Sequence, residues 1–116
     1  MKAISIKEPW ATMIHCGMKT IETRTWDTPY RGLIVLCVSQ NPKTLHSGLA
    51  IGIMYLGRID PMEERHEERA CCKVYPNAKA WIILRYRPFA RPFKVKGKLG
   101  FFKVDERLID SAGLKK

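Results

Sequence analysis

The segment from Ser47 to Ile59 limits what this chain can fold into. Leu49, Ile51, Ile53, Tyr55 and Ile59 form an apolar run, and Gly48, Gly52 and Gly57 interrupt it. Glycines spaced regularly along a strand mark a strong bend or a close neighbour, as at the corner of a barrel. Other runs carry the same β character. Lys2 to Ile6 alternates, and Leu33 to Val38 is a continuous apolar stretch rich in branched residues, which predicts a strand buried on both faces. Thr20 to Trp26, Ala80 to Tyr86 and Phe101 to Val104 read as further strands. Pro88 and Pro92 bracket a kinked connection, so any strand there belongs at a sheet edge. Beyond it, Phe93 and Val95 alternate with Lys94 and Lys96 before a turn at Gly97 to Gly100.

Helical signals are few. Pro9 suits a first helical turn, where its missing N–H would have no partner. Trp10, Met13 and Ile14 then repeat at helical spacing, and Gly17 is a natural stop because it takes positive φ cheaply. On this pattern Trp10 belongs to the core. Pro61 to Lys73 is helix-compatible, with Glu63, Glu64, Glu67 and Glu68 set against Arg65, Arg69 and Lys73 as a solvated face. Asp105 to Lys116 holds a short helix and then frays. The expected fold is α+β and mainly β: a small, closed or nearly closed barrel of about six strands with peripheral helices. At 116 residues, with no repeat or linker, it forms a single domain spanning 1–116.

Residues 17–24 read Gly-x-Lys-x-x-Glu-x-Arg. In a strand, side chains two apart share a face, so Glu22 and Arg24 point together, while Ile21 and Thr23 take the other side. Lys19 lies at the turn from helix to strand, where its long side chain can swing over either face. These charges are either a solvated surface or the lining of a polar pocket. Trp10, Trp26, Tyr30 and Arg31 lie close by in sequence, and aromatic planes beside guanidinium groups suit a flat, negatively charged ligand such as a nucleotide.

Charge strengthens that expectation. The chain carries 21 Lys and Arg against 11 Asp and Glu, a formal net charge of +10. Residues 1–84 have a net charge of +3 and residues 85–116 a net of +7. A basic segment of this kind favours a polyanionic partner, most simply RNA or another nucleic acid. Arg85, Arg87, Arg91, Lys94, Lys96 and Lys98 form the candidate phosphate-binding stripe, and Trp26 or Trp10 the candidate stacking surface.

The four cysteines, Cys16, Cys37, Cys71 and Cys72, contain no Cys-x-x-Cys pair. Cys16 and Cys37 read as small buried apolar residues. Cys71 and Cys72 with His66 match no common zinc spacing. No metal and no cofactor is expected. His15, His46 and His66 read as solvent-exposed or capping residues. The start of the chain reads as a strand followed by proline, not as a signal peptide, and no apolar run reaches the ~18 residues of a membrane span. A reducing, cytoplasmic setting is expected.

Met1 to Ile6, then Pro9-Trp10-Ala11, then Gly17-x-Lys19-x-x-Glu22-x-Arg24 and Tyr30-Arg31-Gly32 together resemble the ASCH domain family, the activating-signal-cointegrator homology domain. Gly48 and Gly52, Trp81, Pro92 and the Lys96-Gly97 turn match in kind and order. The resemblance implies a PUA-like β-barrel and nucleic-acid binding, with Lys19, Glu22 and Arg24 lining a cleft. Trp10, Trp26, Arg31 and Ser39 extend that set by sequence neighbourhood. It also implies an alternative. Some members are hydrolases acting on RNA or on N-acetylated cytidine, and if this chain were an enzyme Lys19 and Glu22 would be its candidate catalytic residues. Glu22 stands here where the amidohydrolase branch has threonine.

Overall fold

The computed structural model describes residues 1–115. Six strands form one curled sheet in the order β2-β5-β4-β3-β1-β6. They are β1 (Lys2–Ile6), β2 (Ile21–Arg24), β3 (Gly32–Val38), β4 (Leu49–Pro61), β5 (Lys79–Lys94) and β6 (Phe101–Lys103). Three short helices flank it, α1 (Trp10–His15), α2 (Glu67–Ala70) and α3 (Glu106–Ala112), with a 3-10 turn at Glu64–His66 leading into α2. The sheet is a PUA-like half-barrel, as expected. Among the described residues no helix is long and apolar enough to cross a membrane.

The central strand β3 is buried on both faces, which its unbroken apolar run predicts. Ile34, Leu36 and Val38 enter the barrel interior with Ile4, Ile6, Met54, Leu56 and Trp81. Val35 and Cys37 face the other way, into a second layer with Phe89, Phe102 and Ile109 that α3 covers. A third cluster, of Ile21, Ala80 and Ile82, is sealed by Met62 and Ala70 on the segment around α2. Gly52 shows why the bending strand needs glycine. A Cβ there would lie 2.3 Å from the Tyr86 hydroxyl and 2.6 Å from the Arg87 carbonyl oxygen.

Several expectations are corrected. Ala80 to Tyr86 and the proline-rich stretch after it are one continuous strand, β5. Its first residues pair with β2, but from Ile83 onward that edge is free of β2. Pro88 and Pro92 fall in this second half, where a missing N–H costs the sheet nothing. The C-terminal tail partly fills the vacated edge, since the Lys115 N–H donates to the Pro88 carbonyl at 2.9 Å. Residues 113–115 are thus tied to β5 rather than frayed, and Lys116 lies outside the described residues. The charged segment 61–73 is helical over residues 64–70, a 3-10 turn that runs directly into α2, and not along its whole length. α1 buries Ala11 and Ile14, not Trp10, because so short a helix turns only one narrow face to the core. Cys16, at its C-terminus, is exposed rather than buried, whereas Cys37 is buried.

Candidate functional site

The site begins at a mismatch between strands. β6 pairs with β1 only over Lys2 to Ile4. Ser5, Ile6 and Lys7 continue past its end and keep an open edge on that side. The curl of the sheet brings β2 round to this gap, although β5, β4 and β3 separate it from β1 in sheet order. A cleft of about 750 Å³ opens there. Its walls are the end of β1, Glu22 to Arg24 of β2, the Ser39–Asn41 turn after β3, and the Val95–Gly100 loop before β6. Trp10 stands at one side and Tyr75 with Cys72 at another. A pocket of this size is in the range that holds small ligands.

Lys19, Glu22 and Arg24 come together as one charge network. Glu22 lies 3.6 Å from Lys19 Nζ and 3.0 Å from Arg24 Nη2. The roles differ from the expectation that all three line the cleft. Lys19 is 2 % exposed. Its Nζ donates to the Ala70 carbonyl at the end of α2, so it sits behind Glu22 and forms no part of the cleft wall. Glu22 is nearly buried between the two cations. Arg24 faces the cleft with its side chain 24 % exposed. Its Nη2 also donates to the Ser5 carbonyl at 3.0 Å. Nε is buried without a partner among the described residues.

The two tryptophans exchange their expected parts. Trp26 packs edge-on against Trp81 at 4.8 Å and Phe101 at 5.3 Å between ring centroids. It closes the seam between β2 and β6 and offers no free face to the cleft. Trp10 is 37 % exposed and lines the cleft. Ser39 lines it too, with its hydroxyl donating to the Asn41 carbonyl at 3.1 Å. Arg31 lies outside, exposed, donating to the Thr28 and Tyr30 carbonyls at 2.7 and 2.8 Å.

The basic stripe divides as well. Arg91 donates through Nε to the Ser111 carbonyl at 3.1 Å, capping the last turn of α3. Arg87 donates to the Lys115 carbonyl at 3.2 Å, and Arg85 lies over the Tyr55 ring at 5.5 Å. Lys94, Lys96 and Lys98 are exposed and form no ion pair with any described residue. Lys98 is the member that reaches the cleft. Sequence reasoning missed Lys7, Asn41 and Tyr75. Lys7 directly follows β1, so its signal was adjacency to a strand end. The other two depend on where loops land, which spacing does not encode.

The histidines stand apart from the cleft. His66 is buried, and its Nδ1 accepts from the Glu63 N–H at 2.9 Å as part of a cap. His15 Nδ1 lies 2.6 Å from the Tyr86 hydroxyl. Burial first, then the charge of Lys115, lowers the His15 pKa, and burial raises that of Tyr86. The Tyr86 hydroxyl also lies 3.2 Å from the Ile51 carbonyl, and its one proton goes to that oxygen or to His15 Nδ1 according to the His15 tautomer. Among the described residues no cluster of three His, Cys, Asp or Glu could hold a metal.

A family model for the ASCH domain matches residues 4–93. No curated protein matches the chain. Among solved structures, the crystal structure of ASCH from Zymomonas mobilis is similar at a TM-score of 0.71 and 18 % identity, covering 94 % of this chain and 90 % of that one. A single-substitution variant of the same Zymomonas mobilis protein gives a TM-score of 0.72 at 17 % identity, covering 97 % of this chain and 96 % of that one. At such identities the likeness is one of fold.

Proposed function

This chain belongs to the ASCH domain family, and on that premise we propose that it binds single-stranded RNA, holding one unstacked base in the cleft between β1 and β2. The observation that carries the reading is the company Trp10 keeps. A half-exposed indole stands in a cleft whose other side chains include Lys7, Arg24 and Lys98. An aromatic face accepts any base, worth ~1–3 kcal/mol per stacked base, and cations beside it accept the backbone. Lys94 and Lys96 extend the positive charge away from Lys98 along the adjoining segment. Arg85, Arg87 and Arg91 contribute field rather than contacts, since each is engaged within the protein. Lys and Arg that neutralise phosphates release condensed counterions, so affinity falls steeply with salt.

The hydrolytic alternative draws less support from the geometry. Lys19 would have to act as a base or steady a developing negative charge, yet its ammonium is turned toward Ala70 and Glu22 and away from the cleft. Glu22 is held between two cations, an arrangement suited to orienting Arg24.

The test is filter retention of labelled single-stranded RNA and duplex DNA at two salt concentrations, with Trp10→Ala beside the parent protein. Salt-sensitive retention of the single strand, weakened about tenfold or more by the substitution, is expected. Retention that ignores both salt and Trp10 would sink the proposal.

A further inference from the structure

We infer that the cleft selects a nucleotide bearing a terminal phosphate monoester over a neutral nucleoside or an internal phosphodiester. The inference deepens the reading of this cleft as a nucleotide site and rests on it. It follows from the charges in the wall. Lys7, Arg24 and Lys98 line the cleft together with one carboxylate, Glu22. That carboxylate is already matched, by Arg24 at 3.0 Å and by the buried Lys19 behind it at 3.6 Å. Lys7 and Lys98 have no acidic partner among the described residues, so four cations (Lys7, Lys19, Arg24 and Lys98) stand against one carboxylate in and behind the wall. A phosphate monoester carries close to two negative charges at neutral pH, its second pKa being about 6. A phosphodiester carries one and a nucleoside none, so the monoester comes nearest to matching the positive charge around the cleft.

The shape agrees with the charge. Gly97 is pressed against β1, and a Cβ there would lie 2.6 Å from the Ser5 hydroxyl oxygen. Glycine at 97 thus lets the Val95–Gly100 loop lie close against β1, without displacing the Ser5 hydroxyl, as it brings Lys98 to the cleft. Arg24, partly exposed on the same wall, presents a guanidinium already held in place by the Ser5 carbonyl and Glu22. Trp10 takes the base, and the anion is left to Lys98, Lys7 and Arg24.

Isothermal titration with cytidine, cytidine monophosphate and inorganic phosphate tests the chemistry. A five-nucleotide RNA with either a 5′-phosphate or a 5′-hydroxyl identifies the source of the group. The monophosphate should bind at least tenfold tighter than the nucleoside, a charge-assisted contact being worth at least that. Lys98→Ala should remove most of this difference. Affinity for the monophosphate should also fall as pH drops through about 6, where the monoester loses its second charge. No diester would show that fall. If only the phosphorylated RNA binds, an RNA end is the ligand, and if the free monophosphate competes with it equally, a mononucleotide suffices. Nucleoside binding as tight as that of the monophosphate, or equal binding of the two RNAs, would overturn the inference and leave the RNA-binding reading standing. Inorganic phosphate binding as well as the monophosphate would reduce the site to an anion hole and also overturn it. Failure of every ligand, both RNAs included, would overturn the inference and the underlying reading together.

Discussion

Arg24 Nη2 donates to the main-chain carbonyl of Ser5 at 3.0 Å, joining two strands that share no ladder. β6 stops opposite Ile4, and the next carbonyl of β1 would lack a strand partner on that side. A guanidinium from β2 supplies the donor. The same side chain pairs with Glu22 at 3.0 Å, so the seam of the half-barrel and the wall of the cleft share a residue.

Arg24→Ala should weaken the fold as well as the site. It removes a charge-assisted bond to a carbonyl and leaves Glu22 with Lys19 alone, a loss of about 2–3 kcal/mol. Arg24→Lys should recover only part of it, because one ammonium cannot reproduce the geometry of the fork. Urea denaturation midpoints for the two variants measure the difference. An Arg24→Ala midpoint equal to that of the parent would mean the seam bond contributes nothing.

Lys19→Met should destabilise by about 3 kcal/mol, since it strands a nearly buried carboxylate with one partner fewer. The double variant Lys19→Met with Glu22→Gln should lose less than the sum of the two single changes, because the second substitution removes the unpaired charge. Additive losses in the same denaturation series would show that the pair is not coupled.

The architecture was legible in the sequence because two signals are local. The unbroken run Leu33 to Val38 announced a strand buried on both faces, and the glycines of 48–57 announced the bend. The charge cluster was legible as a cluster, since Glu22 and Arg24 sit two apart on one strand. Its depth was not. Lys19 is buried because α2, some fifty residues later, lays the Ala70 carbonyl over it, and no spacing rule encodes that contact. The exchange of roles between Trp10 and Trp26 has a similar origin. Helical periodicity assigned Trp10 to the core, but a helix of six residues buries only Ala11 and Ile14. Trp26 was drawn inward by Trp81 and Phe101, which are distant in sequence.

Asp105 gives a pH dependence of known sign. Its side chain accepts from the Arg107 N–H at 2.8 Å, capping α3. The Arg107 guanidinium, then that backbone bond, hold its pKa below the usual 3.8. A carboxylate depressed in the folded state stabilises the fold above its unfolded value. That contribution fades as pH falls below about 3.8 toward the folded value. Asp105→Asn keeps the cap but removes the titrating charge. Thermal unfolding of the parent should therefore drop more steeply between pH 4 and 2 than that of the variant (roughly the range over which such a group titrates). Parallel curves would exclude Asp105 as a contributor.

The thiols should separate cleanly by reactivity. Burial pushes the Cys37 thiol up to about 12, while Cys16 is exposed. Because the thiolate is the nucleophile, iodoacetamide at neutral pH should label Cys16 in the folded protein and spare Cys37 until denaturant is added. Peptide mass mapping reads the order, and early labelling of Cys37 would contradict its place between β3 and the α3 layer.

Trp10 and Trp26 offer the sharpest contrast between binding and folding. Trp26→Ala removes an indole wedged between Trp81 and Phe101, and large-to-small changes of this kind cost about 3–5 kcal/mol when fully buried. Trp26 is only partly buried, so a loss of about 2–3 kcal/mol is expected. Trp10→Ala should change stability by less than about 0.5 kcal/mol, as surface substitutions usually do, yet weaken RNA retention. Melting temperature and RNA retention measured on both variants therefore give a crossed pattern. A Trp10→Ala protein that is destabilised as much as Trp26→Ala would place its indole in the core after all, and the cleft would lose its stacking surface.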